Sequence, residues 1–304
     1  MNAQTQKNEF KGNRCGLTAK IVLWHTKSMK TNSSTWLGIW KYVVLGAILL
    51  SLLAIASTAS ATNSWNGYHW ARTTSPFTLQ LGKNLSSAWA PYLDTTSTDW
   101  SISTVLNTTV VAGRTKPKPC KATTGRVEVC NSSYGNNGWL GVAQIWASGK
   151  HITQGTVKVN DFYFNLSTYN TPAWRNMVMC QEVGHTLGLA HQDEAFDNPN
   201  LGTCMDYTND PARNDGFGDN QHPNQHDYDE LGIIYAHLDS TNTVFQSIDG
   251  GGKGKPANVG QNIDLNDPSA WGQAIRQDAQ GKNSLFERDL GNGEKLFTFV
   301  IWAE

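Results

Sequence analysis

The chain has 304 residues and a formal net charge of −1. Seven of its 24 basic residues, but only Glu9 of its 25 acidic ones, precede Thr62, so the remainder carries about −7. That balance speaks against nucleic acid and anionic membrane surfaces as partners, and the length from Thr62 onward allows one sizeable core with a small appendage.

Val43 to Ala56 is apolar apart from Gly46 and Ser51; Lys27, Lys30 and Lys41 precede it and Ala59-Ser60-Ala61 follows. A basic lead, a short apolar run and a small-residue exit describe a secretory signal peptide cleaved after Ala61. A membrane-spanning helix needs about 20 apolar residues, more than this run supplies. The expectation is a secreted, extracellular protein with no stable membrane anchor after processing. The polar leader is long, and a start at Met29 would give a signal peptide of ordinary length. Beyond it lie four cysteines, Cys120, Cys130, Cys180 and Cys204. An even count in an exported chain favours two disulfides, with three pairings open, and no tight zinc-type cysteine spacing is present.

The elements follow in chain order. Pro76 to Leu81 alternates apolar and polar as a strand does. Ser86 to Trp100 places Trp89, Tyr92, Leu93 and Trp100 at helical spacing. Val105 to Ala112 is a strand. Gly113 to Gly138, rich in Lys, Pro, Ser and Asn, reads as a loop. Trp139 to Trp146 and Gly155 to Phe164 carry the β-branched and aromatic content of strands. A helix starts at Thr171-Pro172, a good N-cap followed by proline at the first helical position. Trp174, Met177, Val178, Gln181 and His185 share one of its faces, and Gly188 is its stop. Asp193 to Gln221 is loop. A last helix runs from about Gln225 to Leu238, capped by Asn224. Gly250 to Lys255 is a glycine-rich joint, and Leu285 to Trp302 forms a hairpin turning at Gly291-Asn292-Gly293. That tail is too small to hold a core alone and is expected to dock on the main domain.

Gln181 and His185 are four apart on a helix, so both side chains can face one ion. Glu182 projects beside them, where a carboxylate can accept a proton from a water polarised there. The helix breaks at Gly188 and the chain returns to offer His191. The string Gln181-Glu182-Val183-Gly184-His185-Thr186-Leu187-Gly188-Leu189-Ala190-His191 matches H-E-x-x-H-x-x-G-x-x-H at every defined position except the first. Cys204-Met205-Asp206-Tyr207 follows 14 residues after His191.

These motifs resemble the metzincin zinc peptidases, matrixin-like in detail, with glutamine in place of the first ligand histidine. The resemblance spans Trp65 to Leu238 in element order, with motif identity confined to Gln181–Tyr207. It implies an α+β fold with a mixed twisted sheet, an active-site helix, a methionine turn and a C-terminal helix. It implies Zn2+ as cofactor, metal ligands Gln181, His185 and His191, Glu182 as general base, Met205 as the turn methionine and Tyr207 as a helper for the oxyanion. The strand near Leu140 to Ile145 would be an edge that pairs with an extended protein or peptide substrate. The site helix and the methionine turn meet under the metal in this family, which implies Cys180–Cys204 and leaves Cys120–Cys130. An amide oxygen binds zinc more weakly than imidazole. Three readings stand: a working secreted metalloendopeptidase, a loosely held zinc, or a binding protein on the same scaffold.

Three further features are weaker. His222 and His226, four apart, could form a ligand pair but read first as solvated polar groups. The Asp/Asn-rich stretch from Asp193 to Asn220 could hold Ca2+, although it lacks a recognisable calcium-loop pattern. The triads at Asn84, Asn107, Asn131 and Asn165 fit glycosylation acceptors. The expected division is 1–61 leader and signal peptide, 62–240 metallopeptidase domain, and 241–304 joint and hairpin extension.

Overall fold

The computed structural model describes residues 62–245 and 263–304. The expected signal peptide, its cleavage site and the glycine-rich joint lie outside the described residues. Among the described residues, no helix is long and apolar enough to cross a membrane.

The fold is α+β, with few helices against one mixed sheet. The strands are β1 His69–Trp70, β2 Phe77–Asn84, β3 Leu106–Ala112, β4 Val127–Ser132, β5 Trp139–Ser148, β6 His151–Asn160, β7 Gln273–Gln277, β8 Asn283–Gly291 and β9 Glu294–Trp302. The helices are α1 Ala90–Trp100, the single turn α2 Asp161–Phe164, α3 Pro172–Thr186 and α4 Gln225–Ile234. Across the sheet the order is β3-β2-β4-β6-β5-β9-β8-β7, and β1 pairs with β6 off this path. The pairs β2–β3, β2–β4, β4–β6 and β1–β6 are parallel. From β6 through β5, β9 and β8 to β7 every pair is antiparallel.

Helix α3 starts as its sequence requires: the Thr171 hydroxyl accepts from the Trp174 N–H at 3.3 Å and Pro172 occupies the first turn. It lies against β5, β6 and α1, and all ten of its residues from Met177 to Thr186 are buried, as is Trp174. Helix α4 carries a capping box between Asn224 and Asp227 and ends at Ile234, one turn short of the reading from sequence. The core joins both sides: Trp70, Trp100, Leu140, Ile145, Val157, Met177 and Val183 are fully buried in one cluster. Burying a side chain of that size stabilises by roughly 1.5–3 kcal/mol.

Two segments differ from the sequence reading. Within the supposed loop 113–138, Val127–Ser132 forms β4, clamped to the preceding loop by the Cys120–Cys130 disulfide. On it the Glu128 carboxylate meets the Arg126 guanidinium at 3.1 Å in a buried ion pair. The strand expected to end at Phe164 stops at Asn160, whose side chain accepts from the Phe162 N–H and caps α2 instead. The C-terminal hairpin β8–β9 turns at Asn292-Gly293, as residues with positive φ allow, and β7 adds a third strand to it.

One buried cation is accommodated at a cost. The Lys158 amine on β6 donates to Asn266 Oδ1 at 3.0 Å. Burial pushes its pKa down from 10.5 to about 7, with Asp264 offsetting part of that. The folded pKa lies below the unfolded one, so the penalty is full below about pH 7 and fades as pH rises towards 10.5. Lys158→Met is therefore expected to stabilise the protein at pH 7 by roughly 2–4 kcal/mol and by far less at pH 10. Urea unfolding at the two pH values checks this; an equal difference at both would contradict it.

Candidate active site

Three pieces of chain converge below the middle of the sheet: the C-terminal half of α3, the return segment Gly188–Glu194, and the turn Thr203–Tyr207. Gly188 makes the first bend possible. Its φ is +102°, and a Cβ there would stand 2.5 Å from the Tyr68 carbonyl oxygen. The return segment is held by the beginning of the described chain: the Asn63 side-chain amide donates to Ala190 O at 3.0 Å, and the Ala190 N–H donates back to Asn63 O.

His185 and His191 meet. Their Nε2 atoms are 2.9 Å apart, and His185 is fully buried, the His191 ring likewise. Each ring is oriented from its far side. His185 Nδ1 lies 2.8 Å from Leu189 O, an atom that only accepts, so Nδ1 carries the hydrogen and Nε2 presents a lone pair. Burial and the charge of His191 push the His185 pKa well below its ordinary value, which keeps that ring neutral. His191 Nδ1 lies 2.7 Å from Glu194 Oε1. Burial raises the Glu194 carboxyl, but hydrogen bonding and charge from His191, with Arg276 and Ser284, outweigh it and hold it below the usual range. His191 Nδ1–H therefore donates to a carboxylate, and its Nε2 also aims inward. Two lone pairs cannot face each other at this distance without a proton or a cation between them. A carbonyl or carboxylate behind each imidazole is the arrangement that orients histidine metal ligands. The donor chemistry fits zinc.

Gln181 is fully buried on the same helix. Its amide NH2 donates to Cys204 O at 2.8 Å, so its hydrogen bond runs to the turn and not to either histidine; its Oε1 is buried without a partner. Glu182 is fully buried and neither carboxylate oxygen has a well-formed hydrogen bond. Burial pushes its carboxyl well above the ordinary value, with the Ala143 N–H offsetting part of that. The neighbouring strand reaches it because residue 141 is glycine: a Cβ there would lie 2.7 Å from Glu182 Oε1.

Met205 sits directly beneath α3. A Cβ on Gly184 would meet Met205 Sδ at 2.5 Å and Trp100 Cζ2 at 2.7 Å. The turn is fastened to the helix by the Cys180–Cys204 disulfide, Cα–Cα 5.9 Å, and to the return segment by Gln192 N–H to Met205 O at 2.6 Å and Tyr207 N–H to Asp193 O at 3.1 Å. Tyr207 is buried against His191, ring centroids 4.3 Å apart.

The expected substrate edge is occupied. Strand β5 is no edge: β6 lines one side and β9 the other, with Gly141 opposite Ile301 and Ile145 opposite Phe297. The cause is the C-terminal hairpin, which adds its second strand to β5. Its Phe299 ring stacks on His185 at 4.1 Å and 11°, and Tyr207 donates its hydroxyl to Val300 O at 2.9 Å. From the rest of the extension, Ser284 donates to Glu194 Oε2 at 3.1 Å and Arg276 approaches Oε1 at 3.5 Å. Glu194 and Phe299 were not anticipated from sequence. A carboxylate three residues after His191 was a visible signal for the first; alternation marked Phe299 as buried but not against what.

The secondary candidates lie elsewhere. His222 pairs with Asp99 at 2.7 Å, and His226 is in the first turn of α4. The segment 193–220 is tied by its own amides, among them Asn220 to Asp206 at 2.8 Å and Asn200 to the Arg213 carbonyl at 2.8 Å.

No protein-family model matches the chain, and no curated protein does. Among solved structures it overlaps a crystal structure of myroilysin at 12% identity and TM-score 0.33, covering 60% of this chain and 95% of that one. A second myroilysin structure gives 13% and 0.34, covering 56% and 83%. High choriolytic enzyme 1, a hatching enzyme zinc-protease from Oryzias latipes (medaka fish), gives 10% and 0.32, covering 57% and 96%. Overlap this loose carries no argument about chemistry, which rests on the site itself.

The fit of helix and turn makes a paired prediction. Gly184→Ala is expected to destabilise by about 1–3 kcal/mol, because the added methyl has no space against Met205 and Trp100. Gly232→Ala in α4, where nothing lies within 4 Å of the added carbon, is expected to be neutral or stabilise by up to about 1 kcal/mol. Thermal melting of both variants checks the contrast; equal shifts would contradict it.

Proposed function

We propose that this chain is a secreted zinc-dependent endopeptidase whose cleft is filled by its own C-terminal strand. The observation that carries the reading is the His185–His191 pair, two imidazoles oriented from behind so that their Nε2 atoms converge to 2.9 Å, with the buried Glu182 carboxyl on the same helix as His185. His185 and His191 would hold the zinc, with the Gln181 amide oxygen, buried and unpartnered, as the third protein donor. Bound zinc would polarise a water and the scissile carbonyl. Glu182 would take the proton from that water and pass it to the leaving amine, a task suited to a carboxyl whose proton affinity is raised by burial. Tyr207 would donate to the oxyanion once its hydroxyl is released from Val300 O.

By the resemblance, an extended substrate would pair with β5 where β9 now lies, antiparallel to it. The intact chain is therefore expected to cleave slowly until β9 is displaced. The full burial of Glu182 and both histidine rings favours one rival, a catalytically silent binding protein on this scaffold.

Zinc content and cleavage of an unstructured protein such as casein decide between them. The wild type is expected to cleave only with zinc. Glu182→Gln is expected to keep the metal and lose at least about 100-fold in rate, as loss of a general base does. Gln181→His is expected to bind zinc tighter, imidazole being the better donor. Phe299→Ala is expected to raise the rate by uncovering His185. A wild type and a Phe299→Ala variant that are both inactive and metal-free, with Gln181→His no better, would establish the silent reading.

A further inference from the structure

A second group of histidines lies away from the α3 site. Strand β1 pairs in parallel with β6 in a register that sets His69 beside His151. The segment after α4 returns to the same place. The Arg72 N–H donates to Asp239 Oδ2 at 3.0 Å, the Asp239 N–H donates to Arg72 O at 2.8 Å, and the Arg72 guanidinium binds the carbonyls of Tyr235 and His237. This exchange fixes His237 and Asp239 over the start of β1.

The result is a set of nitrogen atoms around one carboxylate oxygen. Asp239 Oδ1 is 3.3 Å from His69 Nε2, 3.2 Å from His151 Nε2 and 3.6 Å from His237 Nε2. His69 Nε2 and His237 Nε2 are 3.3 Å apart. Tetrahedral zinc with bonds of about 2.0–2.1 Å to nitrogen and oxygen sets neighbouring donor atoms roughly 3.3–3.4 Å apart. The spacing within His69, His237 and Asp239 is that of a ligand shell, and these three donors lie close enough together for one ion.

The hydrogen bonds behind two of the donors fix which atoms face the centre of the group. His69 Nδ1 lies 2.8 Å from the Gly67 carbonyl oxygen, so it carries a hydrogen, and Nε2 is turned towards both Asp239 and His237. Nε2 and the Asp239 oxygen at 3.3 Å need a positive charge between them, a proton or a metal ion, and the ring is only 6% exposed. A metal ion in that place would be shared with His237 Nε2, 3.3 Å from His69 Nε2. The backbone carbonyl behind His69 and the N–H behind Asp239 orient these two donors as outer-shell partners do in metal sites. The side of the group formed by His237, 55% exposed, and His151, 37% exposed, is open to an entering ion.

We propose that His69, His237 and Asp239, with His151 on the same carboxylate oxygen, form a binding site for a divalent transition metal of the zinc class. Two imidazoles and a carboxylate suit zinc better than calcium or magnesium, which prefer oxygen donors throughout. The site is separate from the His185–His191 pair and does not depend on its function. Its effect is structural: it ties the start of β1 to the segment that leaves α4, so it clamps the two ends of the fold that frame Trp70 and Tyr235.

Zinc chloride, added to the full secreted protein after chelation and dialysis, is the probe. Bound zinc is counted by elemental analysis, and the melting temperature is followed with and without the ion. His237→Ala and Asp239→Asn are the variants; His237 is exposed, and asparagine keeps an acceptor for the Arg72 N–H. The expected result is one zinc equivalent fewer in each variant than in the wild type, together with a zinc-induced rise in melting temperature that the variants lose. A His185→Asn variant is expected to keep that rise, which separates this site from the one on α3. Wild type and both variants with the same zinc count and the same thermal response would overturn the proposal, and so would a wild type that takes up no zinc outside the His185–His191 pair.

Discussion

The antiparallel ladder between β5 and β9 is the constraint on which the candidate site depends. It spans the length of both strands, from Trp139 opposite Trp302 to Ser148 opposite Glu294. Through it the last residues of the chain lie over residues of α3 and the Met205 turn. Phe299 covers His185, the Val300 carbonyl takes the Tyr207 hydroxyl, and Phe297 packs on Trp65 and Tyr68. Without β9, β5 would be an edge with a row of unpaired backbone groups facing solvent. Phe299 adds to the dryness of the site, in which burial raises Glu182 and lowers His185.

Both histidine groups are built on one physical rule. An imidazole whose Nδ1 hydrogen is committed to a fixed acceptor has its Nε2 aimed by that partner. His185 is aimed by Leu189 O, His191 by Glu194 and His69 by Gly67 O. The groups differ in access. The pair on α3 is sealed beneath Phe299, whereas His237 and His151 are partly in water. The chemistry proposed at the first would therefore require a strand to move, whereas an ion could reach the second without one.

Much of the α3 site was legible in the sequence because its geometry is local. Four residues on a helix put Gln181 and His185 on one face, and a glycine then turns the chain to His191. The helix caps at Thr171 and Asn224 were legible for the same reason. Strand β4 was not, because its segment carries Arg126, Glu128, Cys130 and Asn131, which look like a loop until the ion pair and the disulfide are seen to bury them. The closing of β5 by β9 was also out of reach. Alternation in Leu285–Trp302 marks a hairpin but does not name the strand it joins, more than 140 residues away in the chain for every pair. The group at Asp239 draws on three segments separated in the same way, and no spacing announces it.

Amide hydrogen exchange along β5 tests the central claim, that the intact chain holds β9 against this strand. The account predicts slow exchange at successive amides from Val142 to Ala147, since both sides of the strand are paired. Alternate amides exchanging as fast as those of a free edge, while the rest stay protected by β6, would contradict it.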